Sequence, residues 1–173
     1  CKKITFGFDK TSDYNAHEIQ KGNNKYIKVN NNLISIPRSL YHLKENILSA
    51  YSIANSFKIN IKDINSCLKN YIVPNGRGNK IIFHNLNIID DSYNANPESV
   101  KLAIKRFNEL KITGKKILVF ADMHELGENS DNDHIDIAQI IDKSNINILI
   151  TFGSISKITS ASIQSKHIKT IHF

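Results

Sequence analysis

Tryptophan is missing from this 173-residue sequence, and methionine occurs once. The two cysteines, Cys1 and Cys67, are too few for a disulfide framework, so a reducing cytoplasm is the expected setting. Proline occurs three times and glycine seven, and with 40% hydrophobic and 23% charged residues this excludes disordered and collagen-like classes. No apolar run approaches the roughly 18 residues that a membrane span needs, so no membrane partner is expected. Arginine is scarce, with only Arg38, Arg77 and Arg106 among 23 basic residues. The opening Cys1-Lys2-Lys3 carries neither an initiator methionine nor a signal peptide. The sequence therefore reads as an internal piece of something longer, and its strand-like last residues look cut as well.

What remains is ordinary globular material, 40% hydrophobic and 23% charged, and long enough for one domain or one and a fraction. The net charge of +7 invites a nucleic-acid reading, but the placement of the charges opposes it. Residues 1–89 hold 13 Lys and Arg against 5 Asp and Glu, whereas residues 90–173 hold 10 against 11. The lysines are single and not interleaved with aromatics, so the forks and stacking platforms of nucleic-acid surfaces are missing. With 30 Ile, 22 Asn and 20 Lys, the bias fits compositional drift, and no nucleic-acid partner is expected. The charge step near residue 90 suggests two bodies with different surroundings.

Residues 3–8 and 25–36 read as short strands, with turns at Gly22-Asn23-Asn24 and Asn30-Asn31-Asn32. Leu43, Ile47, Ala50, Tyr51 and Ala54 fall at helical spacing up to about Phe57. A shorter helix follows Asn60 as its N-cap, with Ile61, Ile64 and Leu68 on one face. Pro74-Asn75-Gly76-Arg77-Gly78 is the one dense turn cluster and the expected boundary. Beyond it, strands over 80–83 and 87–91 are joined tightly, and Asn96 caps a helix that has Pro97 at its first position. The stripe Val100, Ala103, Ile104, Phe107 and Leu110 is expected to be buried. Apolar strands over 117–121, 146–152 and 168–173 alternate with helices, the pattern of a parallel sheet covered on both faces.

In such folds ligands meet the loops at the carboxyl ends of strands. One candidate is Asp90-Asp91-Ser92-Tyr93-Asn94-Ala95-Asn96-Pro97, far richer in polar groups than a helix cap requires. A carboxylate there suits ribose hydroxyls, and a helix N-terminus favours phosphate. The other is Asp122-Met123-His124-Glu125-Leu126-Gly127-Glu128, which opens a run of six acids and two histidines ending at Asp136. No spacing in it matches a metal template. Gly76-Arg77-Gly78-Asn79-Lys80 and Thr113-Gly114-Lys115-Lys116 lack the spacing of a phosphate-wrapping loop, and no dinucleotide fingerprint is present.

Asp90–Pro97 resembles the DDSYNANP signature of the Mur ligases at all eight positions. The second loop is similar to that family's GDMLELGE run, with Ala121 for Gly and His124 for Leu. Gly76-Arg77-Gly78 matches the preceding GRG, and His42, Asn46 and Ala50 fit the family's G-x-H-N-x-x-N-x-x-A-A helix. The chain departs at Leu43, where the family has Asn, and at Leu40, where it has Gly. The resemblance implies an α/β chain in two parts. Residues 1–74 would be the C-terminal part of the central ATPase domain, and 75–173 a truncated Rossmann-like, parallel-sheet C-terminal domain.

It also implies ATP-dependent amide formation through an acyl phosphate. The substrates would be UDP-N-acetylmuramoyl tripeptide and D-Ala-D-Ala, with Mg²⁺ held by residues outside this sequence, and a monomer is expected. Carried over, Arg77 would be the catalytic cation on the ATP phosphates and Asn46 would contact adenine. Asp91 would hold the ribose, with Asn94 and Asn96 lining that pocket. Asp122, Glu125 and Glu128 would face the substrate. The piece alone is expected to be inactive. A sister ligase with another amino-acid substrate and a non-catalytic nucleotide-binding remnant are the alternatives.

Overall fold

The computed structural model describes residues 3–173, so Cys1 lies outside the described residues, and Cys67 is an exposed free thiol. The chain divides into two compact units, one ending at Val73 and the other beginning at Pro74.

The first unit carries strands β1 (Phe6–Gly7), β2 (Tyr14–Lys21), β3 (Asn24–Val29) and β4 (Asn32–Ile36), adjacent in that order. β1 and β2 run parallel, and the remaining pairs are antiparallel. The turns fall at the asparagine patches, with Gly22 at φ 58° and Asn30 at φ 51°, a region that Gly and Asn tolerate. A 3₁₀ turn (Arg38–Leu43) leads into α1 (Lys44–Ser56), and α2 (Ile61–Lys69) follows. Asn60 caps α2 by accepting a hydrogen bond from Lys62 N, as its sequence position predicts. Ile27, Val29, Ile34, Leu40, Leu48 and Tyr51 form the core, and Ile61, Ile64 and Leu68 pack against it. Asn65 fixes α2 to the sheet edge, accepting from Ser35 N (2.9 Å) and donating to Leu33 O (3.2 Å).

In the second unit β5 (Asn79–Phe83) and β6 (Leu86–Asp90) form an antiparallel hairpin. α3 (Pro97–Glu109) then leads to β7 (Ile117–Ala121), α4 (Ser130–Asp142), β8 (Ile148–Phe152), α5 (Ser156–Ala161) and β9 (Lys169–His172). β7, β8 and β9 make a parallel sheet in sequence order. Ile104 of α3, Ile137 and Ile141 of α4, and Phe120 and Leu149 of the strands share one core. Coverage of both sheet faces is not what the described residues show. The alternate positions Ile117, Val119 and Phe152 are exposed, Val119 by 69%. An apolar strand pattern reports that both faces are apolar, not that both are covered. Leu110 also leaves its expected stripe, because α3 stops at Glu109 and Leu110 is already extended.

Candidate functional site

The hairpin β5–β6 brings the glycine-rich turn and the polar loop side by side. Gly78 N donates to Asp90 O (2.8 Å), and two residues further out Tyr93 N donates to Gly76 O (3.0 Å). Gly76 and Gly78 sit at φ 75° and 81°. A Cβ on Gly76 would lie 2.8 Å from Tyr93 N, so glycine is required there by close approach as well as by φ. Arg77 projects from this turn with its guanidinium carbon 4.1 Å from the Tyr93 ring centroid.

Within the polar loop some groups are used internally. Asp90 Oδ1 accepts from Ser92 N (3.2 Å) and Ser92 Oγ (2.6 Å), an Asx-type turn. Asn94 Oδ1 accepts from Ala95 N (2.9 Å). Asn96 and Ser99 form a reciprocal capping box: Ser99 N donates to Asn96 Oδ1 (2.9 Å), and Asn96 N donates to Ser99 Oγ (3.1 Å). Arg77, Asp91 and Tyr93 remain exposed. An exposed guanidinium, a carboxylate and a helix N-terminus together suit a phosphate and a vicinal diol.

The second loop is built the other way round. Asp122 Oδ1 accepts from Ser156 N (2.6 Å) and Ile155 N (3.0 Å), so its carboxylate caps α5. Burial pushes the Asp122 carboxyl upward, but the Ser156 and Ile155 donors outweigh it and hold the group below its usual range. Gly153, at φ 110°, lies so close that a Cβ would meet this carboxylate at 2.5 Å. His134 is fully buried. Met123 N donates to its Nε2 (3.3 Å), Nδ1 bonds Thr159 Oγ1 (2.9 Å), and that hydroxyl donates to His134 O (3.1 Å). This pattern satisfies the neutral ring with its proton on Nδ1. Burial lowers the His134 pKa from its usual 6.5, against the opposing pull of Asp122, Asp131 and Asp133. Glu125, at φ 62°, and Glu128 are exposed, while Leu126 packs into the core.

Asn46 lies exposed on α1 in the first unit. The structure thus brings Arg77, Asp91, Asn94 and Asn96 into one stretch of the second unit, with Asn46 in the other unit. One turn N-terminal to Asn46, His42 carries a buried Nε2 with no hydrogen-bond partner, which its sequence setting did not signal. Sequence reasoning also missed the roles of Tyr93 and Gly153. The only sequence signal for Gly153 is a glycine directly after an apolar strand. Among the described residues no group of three or more His, Cys, Asp or Glu is placed to hold a metal ion.

Residues 76–172 match the model of the Mur ligase, glutamate ligase domain. The chain is 31% identical over 159 residues to UDP-N-acetylmuramoyl-tripeptide–D-alanyl-D-alanine ligase of Bacillus subtilis (strain 168), which covers 90% of this chain and 35% of that protein. A crystal structure of MurF from Acinetobacter baumannii superposes with a TM-score of 0.76 at 21% identity, over 95% of this chain and 36% of that one. The MurF ligase of Thermotoga maritima, solved in complex with ADP, gives 0.67 at 20% identity, over 94% and 37%. The chain spans about a third of the length of the curated relative (35%). The matched residues begin at the Gly76 turn and run through both loops, and with the 31% identity across nine-tenths of the sequence they place the chain in the Mur ligase family.

Proposed function

We propose that this chain forms part of an ATP-dependent ligase that joins D-Ala-D-Ala to UDP-N-acetylmuramoyl tripeptide in peptidoglycan precursor synthesis, working in the cytoplasm as a monomer. On this reading residues 1–74 are the C-terminal part of a central ATP-binding domain, and 75–173 are a Rossmann-like C-terminal domain. The observation that carries it is the stitched pair of motifs, Gly76–Gly78 against Asp90–Tyr93, which sets Arg77 and Asp91 outward from one rigid hairpin end.

The tripeptide carboxylate takes the γ-phosphoryl group of ATP. The amine of D-Ala-D-Ala then attacks the acyl carbon, loses a proton, and expels phosphate. Little of this needs covalent help from the protein, so positioning and charge stabilisation dominate. Arg77 binds the phosphates through its charged fork, and Asp91 accepts from the ribose hydroxyls. Asn46 addresses the adenine edge, and Asn94 and Asn96 line the ribose pocket while fixing the start of α3. In the second loop Asp122 sets the backbone, and Glu125 and Glu128 are the members exposed toward the incoming dipeptide. Mg²⁺ would neutralise phosphate charge, but the described residues gather no cluster that suits it, and no step is assigned to them through it.

The relative from Bacillus subtilis supports this reading by its name, and the one from Thermotoga maritima by its bound ADP. The test is ADP release by the complete ligase polypeptide on addition of both substrates. No release would overturn the proposal. Release with a single amino acid but not with D-Ala-D-Ala would move the chain to a sister ligase.

A further inference from the structure

Tyr93 has no role in the reaction as described, yet its position in the polar loop is tightly held. Its backbone is clipped to Gly76, and the missing Cβ of Gly76 leaves room for that approach (2.8 Å to Tyr93 N). The residue is 66% exposed and belongs to no core. Its ring face instead carries the Arg77 guanidinium at 4.1 Å. Arg77 has no carboxylate partner among the ion pairs of the described residues; its backbone N–H goes to Asn79 Oδ1 (3.1 Å).

An exposed arginine ordinarily samples many rotamers, and ordering it on a ligand costs entropy. A flat aromatic face restrains the guanidinium without neutralising it, leaving all five N–H donors at its edge for an anion. A carboxylate partner would also restrain it, but would compete with phosphate. We propose that Tyr93 is a positioning residue: its ring pre-orders Arg77, so the guanidinium meets the nucleotide phosphates already oriented. The proposal rests on the nucleotide reading of Arg77 given above. It assigns Tyr93 no contact with the substrate.

The experiment measures the ATP KM of the complete ligase by ADP release. Tyr93→Leu is expected to raise it about two- to fivefold, the size of an exposed cation–π contact, and Tyr93→Phe, which keeps the ring face, to recover most of that loss. In an Arg77→Ala background Tyr93→Leu is expected to add nothing, since it acts only through Arg77. An equal rise in both backgrounds would overturn the proposal, because the ring would then be acting by itself or through the fold. A second readout needs no nucleotide. In the 173-residue chain the Arg77 δ-methylene protons should be shifted upfield by the ring in NMR spectra, in the parent and Tyr93→Phe but not in Tyr93→Leu. Absence of that shift in the parent would overturn the stack itself. A normal ring shift with an ATP KM unchanged by Arg77→Ala would instead remove the reading on which the proposal rests.

Discussion

Two loops of the second unit look alike in sequence and behave oppositely. Asp90–Pro97 and Asp122–Glu128 each leave a strand, each lead toward a helix, and each are dense in polar groups, two acids and two amides in the first, three acids and a histidine in the second. The first turns Asp91 and Tyr93 outward and is held by backbone bonds to the Gly76–Gly78 turn, which carries Arg77, and by a capping box. The second turns its first acid inward, where Asp122 caps α5 and His134 fastens Met123. Polar density alone therefore does not mark a site. What distinguishes the loops is which groups the backbone has already claimed.

If that contrast is right, substitutions in the second loop's network and at the Asn96 cap should cost stability, and those of the first loop's unclaimed groups should cost ligand. The largest effect is expected at Gly153→Ala, which places a methyl group against the Asp122 carboxylate at an unfavourable φ. A loss of about 3 kcal/mol in the denaturant midpoint analysis is expected, and a loss below 1 would break the contrast. Asp122→Ala should follow with about 2 kcal/mol, through two orphaned helix N–H groups.

A pH scan sharpens the same point. His134 binds its proton less readily folded than unfolded, so its contribution is full above about 6.5. As pH falls below 6.5 the unfolded chain protonates first, and stability should decline until the lowered folded pKa is passed. A flat midpoint between pH 7.5 and 5 would contradict the neutral, buried ring. Asn96→Ala should cost about 1 kcal/mol as a lost cap. The smallest stability effect is expected at Asp91→Asn, within about 0.5 kcal/mol, with its loss appearing in the ATP KM instead. A stability loss at Asp91 equal to that at Asp122 would erase the distinction.

Much of this was legible beforehand. The hairpin strands, the Asn96-Pro97 helix start and the Asn60 cap follow from local chemistry that needs no tertiary partner. β2 was not legible. Over Tyr14–Lys21 only Ala16 is fully buried, so no alternation announces a strand, and its pairing is decided by β1 and β3 on either side. The inward turn of Asp122 was hidden for a related reason, since its partners, the Ile155 and Ser156 amides, lie more than 30 residues away. His134 sits on the helical face shared by Ile137, Ala138 and Ile141, all buried, and that neighbourhood was the available clue.

The hairpin register has a consequence for how this segment tolerates insertion and deletion. Asn79 pairs with Asp90 and Phe83 with Leu86, so the tip, His84-Asn85, lies at the far end from both motifs. Residues added there in matched pairs would lengthen the ladder like rungs and leave Arg77 and Asp91 where they are. A single residue added to one strand would slip every partner and turn the motifs out of phase. Relatives should therefore differ freely in the number of residues between the two motifs, in even steps, while the gap between guanidinium and carboxylate stays the same.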